Sequence, residues 1–140
     1  MTARHLNPGR WLVLGLLGIL LLGCSDFPSD ERAMQLGNRF YQAMARGDLD
    51  RALSLFSSEQ PPGKWDARLK QIQAQLGAPL AYQLTHYVTN SPYRGRFYTL
   101  DFSVRYDHDR VAAETLTLYN NGDDDRLDIV SYAVIAPGVK

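Results

Sequence analysis

The chain holds a single cysteine, Cys24, among its 140 residues. No disulfide can therefore close within it, and the domain must be held together by apolar burial. Excess charge of one sign is also missing, since 15 basic residues face 15 acidic ones. The two signs are distributed unevenly. Arg4 and Arg10 lie ahead of an apolar run, and every Asp and Glu comes after it. Loss of residues 1–23 would leave 13 basic against 15 acidic residues, a formal charge of about −2. A surface so near neutrality exerts no general pull on nucleic acid or anionic headgroups, which argues against a nucleic-acid role. There is no Gly-rich phosphate loop, no recognisable Ser/His/Asp set, and nothing that calls for a metal or a cofactor.

What is present begins with a processing signal. Residues 1–10 are polar and carry Arg4 and Arg10, and residues 11–22 (WLVLGLLGILLL) are apolar apart from two glycines. A basic head, a short apolar run and a small residue at its end make a secretory signal peptide. Twelve helical residues reach only ~18 Å, short of the ~30 Å hydrocarbon core of a bilayer. Leu21-Leu22-Gly23-Cys24 resembles the lipobox of bacterial lipoproteins, with Leu first, a small residue third and the obligatory Cys fourth. The resemblance implies a diacylglyceryl group on the Cys24 thiol and cleavage between Gly23 and Cys24. Several acyl chains, palmitate among them, would anchor the protein stably to a membrane. Ser25, where retained inner-membrane lipoproteins carry Asp, implies the periplasmic face of the outer membrane. The order is then signal peptide 1–23, lipidated Cys and tether 24–30, and one domain over 31–140. The tether Ser25–Ser29 spans at most ~18 Å, which holds the domain close to the membrane.

Within the domain the hydrophobic period changes once. Ser29 or Asp30 suits the N-cap of a first helix reaching about Arg46, with Ala33, Leu36, Gly37, Phe40 and Met44 on one stripe and Tyr41 beside it. Gly47 ends that helix, and Asp48 caps a shorter one with Leu49, Ala52, Leu53 and Phe56. After Pro61-Pro62-Gly63 a third helix carries Trp65, Leu69, Ile72 and Leu76, closed by Gly77 and Pro79. From Tyr82 the period is two. Four strands follow, over about 82–89, 98–106, 111–119 and 127–135, joined by turns short enough to make neighbours antiparallel. The layout is α+β: three N-terminal helices packed on a curved four-stranded antiparallel sheet.

The stretch Ala43-Met44-Ala45-Arg46-Gly47-Asp48-Leu49-Asp50-Arg51-Ala52-Leu53-Ser54-Leu55-Phe56-Ser57 resembles the opening of nuclear-transport-factor-two-like domains, also called cystatin-like, where a helix ends at Gly-Asp. Trp65 and Leu69 before Leu76-Gly77, Glu114-Thr115 in a strand and Tyr132 in the last strand extend the likeness over most of residues 31–136. The resemblance implies a cystatin-like fold, which hosts isomerases and dehydratases. No catalytic set of those enzymes matches here residue by residue.

Glu114 stands in phase with Ala112, Leu116 and Leu118, so it is expected to point inward, where an unpaired carboxylate is costly. It reads either as a base in the mouth of the sheet or as a partner of Arg105 or Arg126. His86, in phase with Tyr82, Leu84 and Val88, reads as a base or as a structural histidine. Asp107-His108-Asp109 reads better as a solvated turn than as a metal site. Asn120-Asn121-Gly122-Asp123-Asp124-Asp125 has oxygen ligands but lacks the spacing of a Ca²⁺ loop. Fourteen aromatics lie between Phe27 and Tyr132. They allow an apolar pocket in the cone of the sheet, lined by Glu114, His86, Tyr98 and Tyr132, or a filled core.

These features leave three classes open. The leading one is a non-catalytic binding or accessory domain of the cell envelope, anchored through Cys24, whose partner is an envelope protein or a small apolar ligand. The others are a small isomerase- or dehydratase-like enzyme and a self-associating domain that forms a homodimer.

Overall fold

The computed structural model describes residues 29–139. The apolar N-terminal run, the cleavage position and Cys24 lie outside the described residues. The architecture is α+β: helices α1 (Ser29–Ala45), α2 (Leu49–Leu53) and α3 (Lys64–Leu76) precede strands β1 (Ala81–Asn90), β2 (Arg96–Arg105), β3 (Val111–Asn120) and β4 (Asp128–Ile135). The strands form one sheet in the order β1-β2-β3-β4, each antiparallel to its neighbour.

Helix α1 buries Ala33, Leu36, Phe40, Tyr41, Ala43 and Met44, the stripe that a 3.6-residue period places on one side. Gly37 lies on that stripe for a steric reason. A methyl group there would stand 3.1 Å from the Phe102 ring and 3.2 Å from Leu100, so its absence lets the helix settle onto β2. Ser29 and Asp30, expected as caps, lie within α1 instead. The helix ends in a Schellman motif: Asp48 N–H donates to Ala43 C=O at 3.0 Å and Gly47 N–H to Met44 C=O at 3.1 Å, with Gly47 at φ +70°. The Asp48 carboxylate then accepts from Arg51 N–H at 3.1 Å and caps α2.

Helix α3 buries Trp65, Leu69, Ile72 and Leu76, as its steps of four, three and four require. Its C-terminal carbonyls are satisfied from afar. Arg110, in the β2–β3 turn, donates to Gln75 C=O at 2.8 Å and to Leu76 C=O at 3.0 Å. A guanidinium there both fills orphan acceptors and opposes the helix dipole. The Asp107-His108-Asp109 segment is thus the turn that delivers Arg110, with His108 and Asp109 at positive φ.

On the sheet, Tyr98, Leu100, Phe102 and Val104 of β2 and Ala112, Glu114, Leu116 and Leu118 of β3 face the helices and are buried. Rings fill the space between the layers: Phe40 packs edge-on against Tyr41, Phe56 and Tyr132, and Tyr41 stacks on Tyr82 with centroids 4.8 Å apart. Each such side chain, fully buried, contributes ~1.5–3 kcal/mol to folding. Among the described residues, the edge of β4 is covered at one place. Ser57 N–H donates to Ile129 C=O and Ile129 N–H to Leu55 C=O, both at 2.9 Å, a single parallel bridge from the segment after α2.

Candidate functional site

The one buried carboxyl side chain among the described residues is that of Glu114, 1 % exposed. Alternation along β3 turns it inward, and three elements bring it a tyrosine each. Tyr41 from α1 donates to Oε2 at 2.9 Å, Tyr132 from β4 donates to the same oxygen at 2.8 Å, and Tyr106, just past β2, donates to Oε1 at 2.5 Å. All four residues are buried. Phenol is an apt partner here, because its ring extends the apolar core while its hydroxyl supplies the donor that a buried carboxylate needs.

Burial is the main influence on Glu114 and pushes its pKa up; the bonds from Tyr106, Tyr132 and Tyr41 pull the other way without cancelling it. The tyrosines shift upward in turn. For Tyr41, Tyr106 and Tyr132, burial is the first cause, followed by the neighbouring Glu114 charge. The cluster therefore resists loss of protons from every member. Both carboxyl oxygens are already engaged, so the group is chemically satisfied and closed off from solvent.

The salt-bridged alternative for Glu114 is corrected. Arg105 is exposed and pairs across the strands with Val111, while Arg126 lies in the exposed turn before β4 and meets Asp128 at 2.9 Å. His86 is also corrected. The register of β1 shifts between Leu84 and His86, so Thr85 is extra, and its hydroxyl donates to Asp101 C=O at 3.0 Å. This bulge moves the phase by one residue. Tyr87 takes the inward place opposite Leu100, and His86 stands exposed on the outer face opposite Asp101. Asp101 accepts a 2.6 Å bond from Thr115.

Of the expected pocket lining, the structure joins only Glu114 and Tyr132. Tyr98 is buried away from them, beside a separate groove that also touches Arg32 and Asn120. Sequence reading missed Tyr41 and Tyr106 as partners of Glu114. Tyr106 was detectable in principle, being the inward residue that closes β2 and lies near Glu114 across a tight hairpin. Tyr41 was not, since nothing local links α1 to β3.

The remaining oxygen-rich segments serve the backbone. Asn120 donates to Asp124 C=O and Arg126 C=O, Asn121 accepts from Asp123 and Asp124 N–H, and Asp124 accepts from Arg126 N–H. Among the described residues no three His, Cys, Asp or Glu side chains gather where one metal ion would sit. A groove of about 550 Å³ runs along the outer face of α1, where Arg32, Gln35, Asn38, Arg39 and Gln42 face Asp125 and Leu127. The chain matches no family model and no curated protein.

Proposed function

We propose that this chain is a lipid-anchored protein of the bacterial cell envelope whose domain binds a partner and does not catalyse a reaction. The anchoring half rests on residues 1–24: a basic head, an apolar run too short to span, and Leu21-Leu22-Gly23-Cys24 where that run stops. Ser25 supports a place on the periplasmic face of the outer membrane. No helix among the described residues is long and apolar enough to cross a membrane.

The binding half rests on Glu114. It is the residue best suited by sequence to be a base, yet it is 1 % exposed and holds three phenol donors. A general base must come within hydrogen-bond reach of a substrate proton, and here that reach is taken up by Tyr41, Tyr106 and Tyr132. The cluster acts as a polar tie joining α1, β3 and β4 and the end of β2. A cystatin-like fold with three helices over the sheet is part of the same proposal, supported by the Gly47-Asp48 turn and the antiparallel four-stranded sheet.

The test compares the wild type with Glu114→Gln in cells, after both are shown to fold. The two should restore the phenotype of a deletion strain equally and give the same crosslinked envelope neighbours. A folded Glu114→Gln protein that fails to complement would overturn the non-catalytic assignment.

A further inference from the structure

Beyond the bridge at Ile129, no backbone among the described residues pairs with the edge of β4. Tyr132 and Val134 share the inner face with Ile129, and they sit opposite Leu116 and Glu114 as Ile129 sits opposite Leu118. The register of β4 shifts between Ile129 and Ser131, leaving Val130 extra, while β3 keeps its phase. Bonded and non-bonded pairs alternate along β3, so Tyr132 and Val134, opposite Leu116 and Glu114, turn their N–H and C=O groups away from β3, as Ile129 opposite Leu118 does when it meets Leu55 and Ser57. Among the described residues, nothing in the backbone continues that pairing past Ile129. An edge of this kind is a template for another strand.

A groove of about 420 Å³ runs beside it, with Lys64, Trp65, Ala67, Arg68 and Gln71 of α3 on one side and Tyr132 of β4 on the other. Charge gives the groove a chemical preference. Lys64 and Arg68 put positive charge on its α3 wall, and among the described residues no acidic side chain lines it.

We propose that this groove is a peptide-binding site, in which an extended acidic segment of another protein pairs with the Tyr132–Val134 edge as a fifth strand. Main-chain bonds to β4 would hold the segment. Its carboxylates would meet the positive α3 wall that Lys64 and Arg68 form. The proposal rests on the binding function above and names its partner class. It extends a contact that the chain already makes to itself at Phe56, one step further along the same edge.

The test uses the full-length protein in detergent micelles and a fluorescein-labelled peptide, Thr-Glu-Val-Glu-Thr-Glu, read by anisotropy. Two control peptides accompany it, one with Lys in place of Glu and one N-methylated at alternate residues. Saturable binding of the acidic peptide is expected. It should weaken at least tenfold for Lys64→Glu combined with Arg68→Glu, and for the N-methylated peptide. On peptide addition, amide exchange should slow at Tyr132 and Val134. Val134→Pro, tolerable on an edge strand, should abolish binding while leaving the melting curve in place. Should that variant fail to fold, the exchange measurement and the charge-reversed pair decide alone. Absence of saturable binding, equal binding of the lysine or N-methylated peptide, or unchanged exchange in β4 would overturn the proposal. The function proposed above fails separately, through loss of complementation by Glu114→Gln or absence of lipid on Cys24, neither of which alters peptide binding in micelles.

Discussion

Tyr106 and Glu114 lie eight residues apart around the β2–β3 hairpin, and the tyrosine hydroxyl donates to Glu114 Oε1 at 2.5 Å inside the core. This bond ties the end of β2 to the middle of β3 across the turn that carries Arg110. Removing the hydroxyl leaves one carboxyl oxygen without its donor. Tyr106→Phe is expected to lower stability by about 1–3 kcal/mol, the cost of leaving a buried acceptor without its donor. Chemical denaturation of the two proteins at neutral pH checks this. A loss below about 0.5 kcal/mol would contradict a buried, fully engaged bond.

The upward shift of Glu114 gives a pH dependence of definite sign. A carboxyl whose folded pKa exceeds its unfolded value, ordinarily about 4.3, binds its proton more tightly in the folded state. Its stabilising contribution is complete below the unfolded value and is lost as pH rises through the folded one. The wild-type melting temperature should therefore fall, relative to Glu114→Gln, as pH is raised from about 4.3. Parallel melting curves across that window would contradict the upward shift.

The same burial acts on the phenols. Tyr41, Tyr106 and Tyr132 hold their protons above the ordinary tyrosine range. The stability they supply is complete below about pH 10 and is lost above it. In a spectrophotometric titration, these three should ionise only as the protein unfolds.

Arg110 offers a test that leaves the cluster untouched. Arg110→Ala removes both bonds to the last carbonyls of α3 and is expected to cost about 1–2 kcal/mol. Arg110→Lys should recover only part of it, because a single ammonium cannot reproduce the planar fork. Urea denaturation of the three proteins reads both effects.

Gly95 is the glycine whose replacement should harm most. It sits at φ +77°, and a methyl group there would run into the Asn120 carbonyl and lie 2.7 Å from the Tyr119 ring. Gly95→Ala should destabilise by about 1 kcal/mol or more, since strain and clash coincide. A fall in melting temperature larger than for Gly63→Ala, where space is open, is the expected outcome.

Much of the fold was legible because local signals agreed with burial. The stripes Ala33–Met44 and Trp65–Leu76 and the alternation Tyr98–Val104 needed only a period to place them. Inward Glu114 followed from the same alternation. His86 did not, because a bulge at Thr85 is set by pairing with β2 and leaves no mark in a period-two pattern. Ser29 and Asp30, expected as caps, lie within α1, since a residue suited to capping is equally able to sit in a first turn. The partners of Glu114 required tertiary contact, 73 residues apart for Tyr41. The edge groove was invisible for a like reason, as it forms only where α3 meets β4.

The address of the protein is the claim on which its proposed function stands, and lipid on Cys24 tests it most directly. Cells expressing the wild type and Cys24→Ala are grown with radiolabelled palmitate, and the purified chains are compared. The wild type should carry label, migrate as a form cleaved after Gly23 and fractionate with the outer membrane, and Cys24→Ala should carry none. An unlabelled wild type, or equal label on Cys24→Ala, would contradict the anchor.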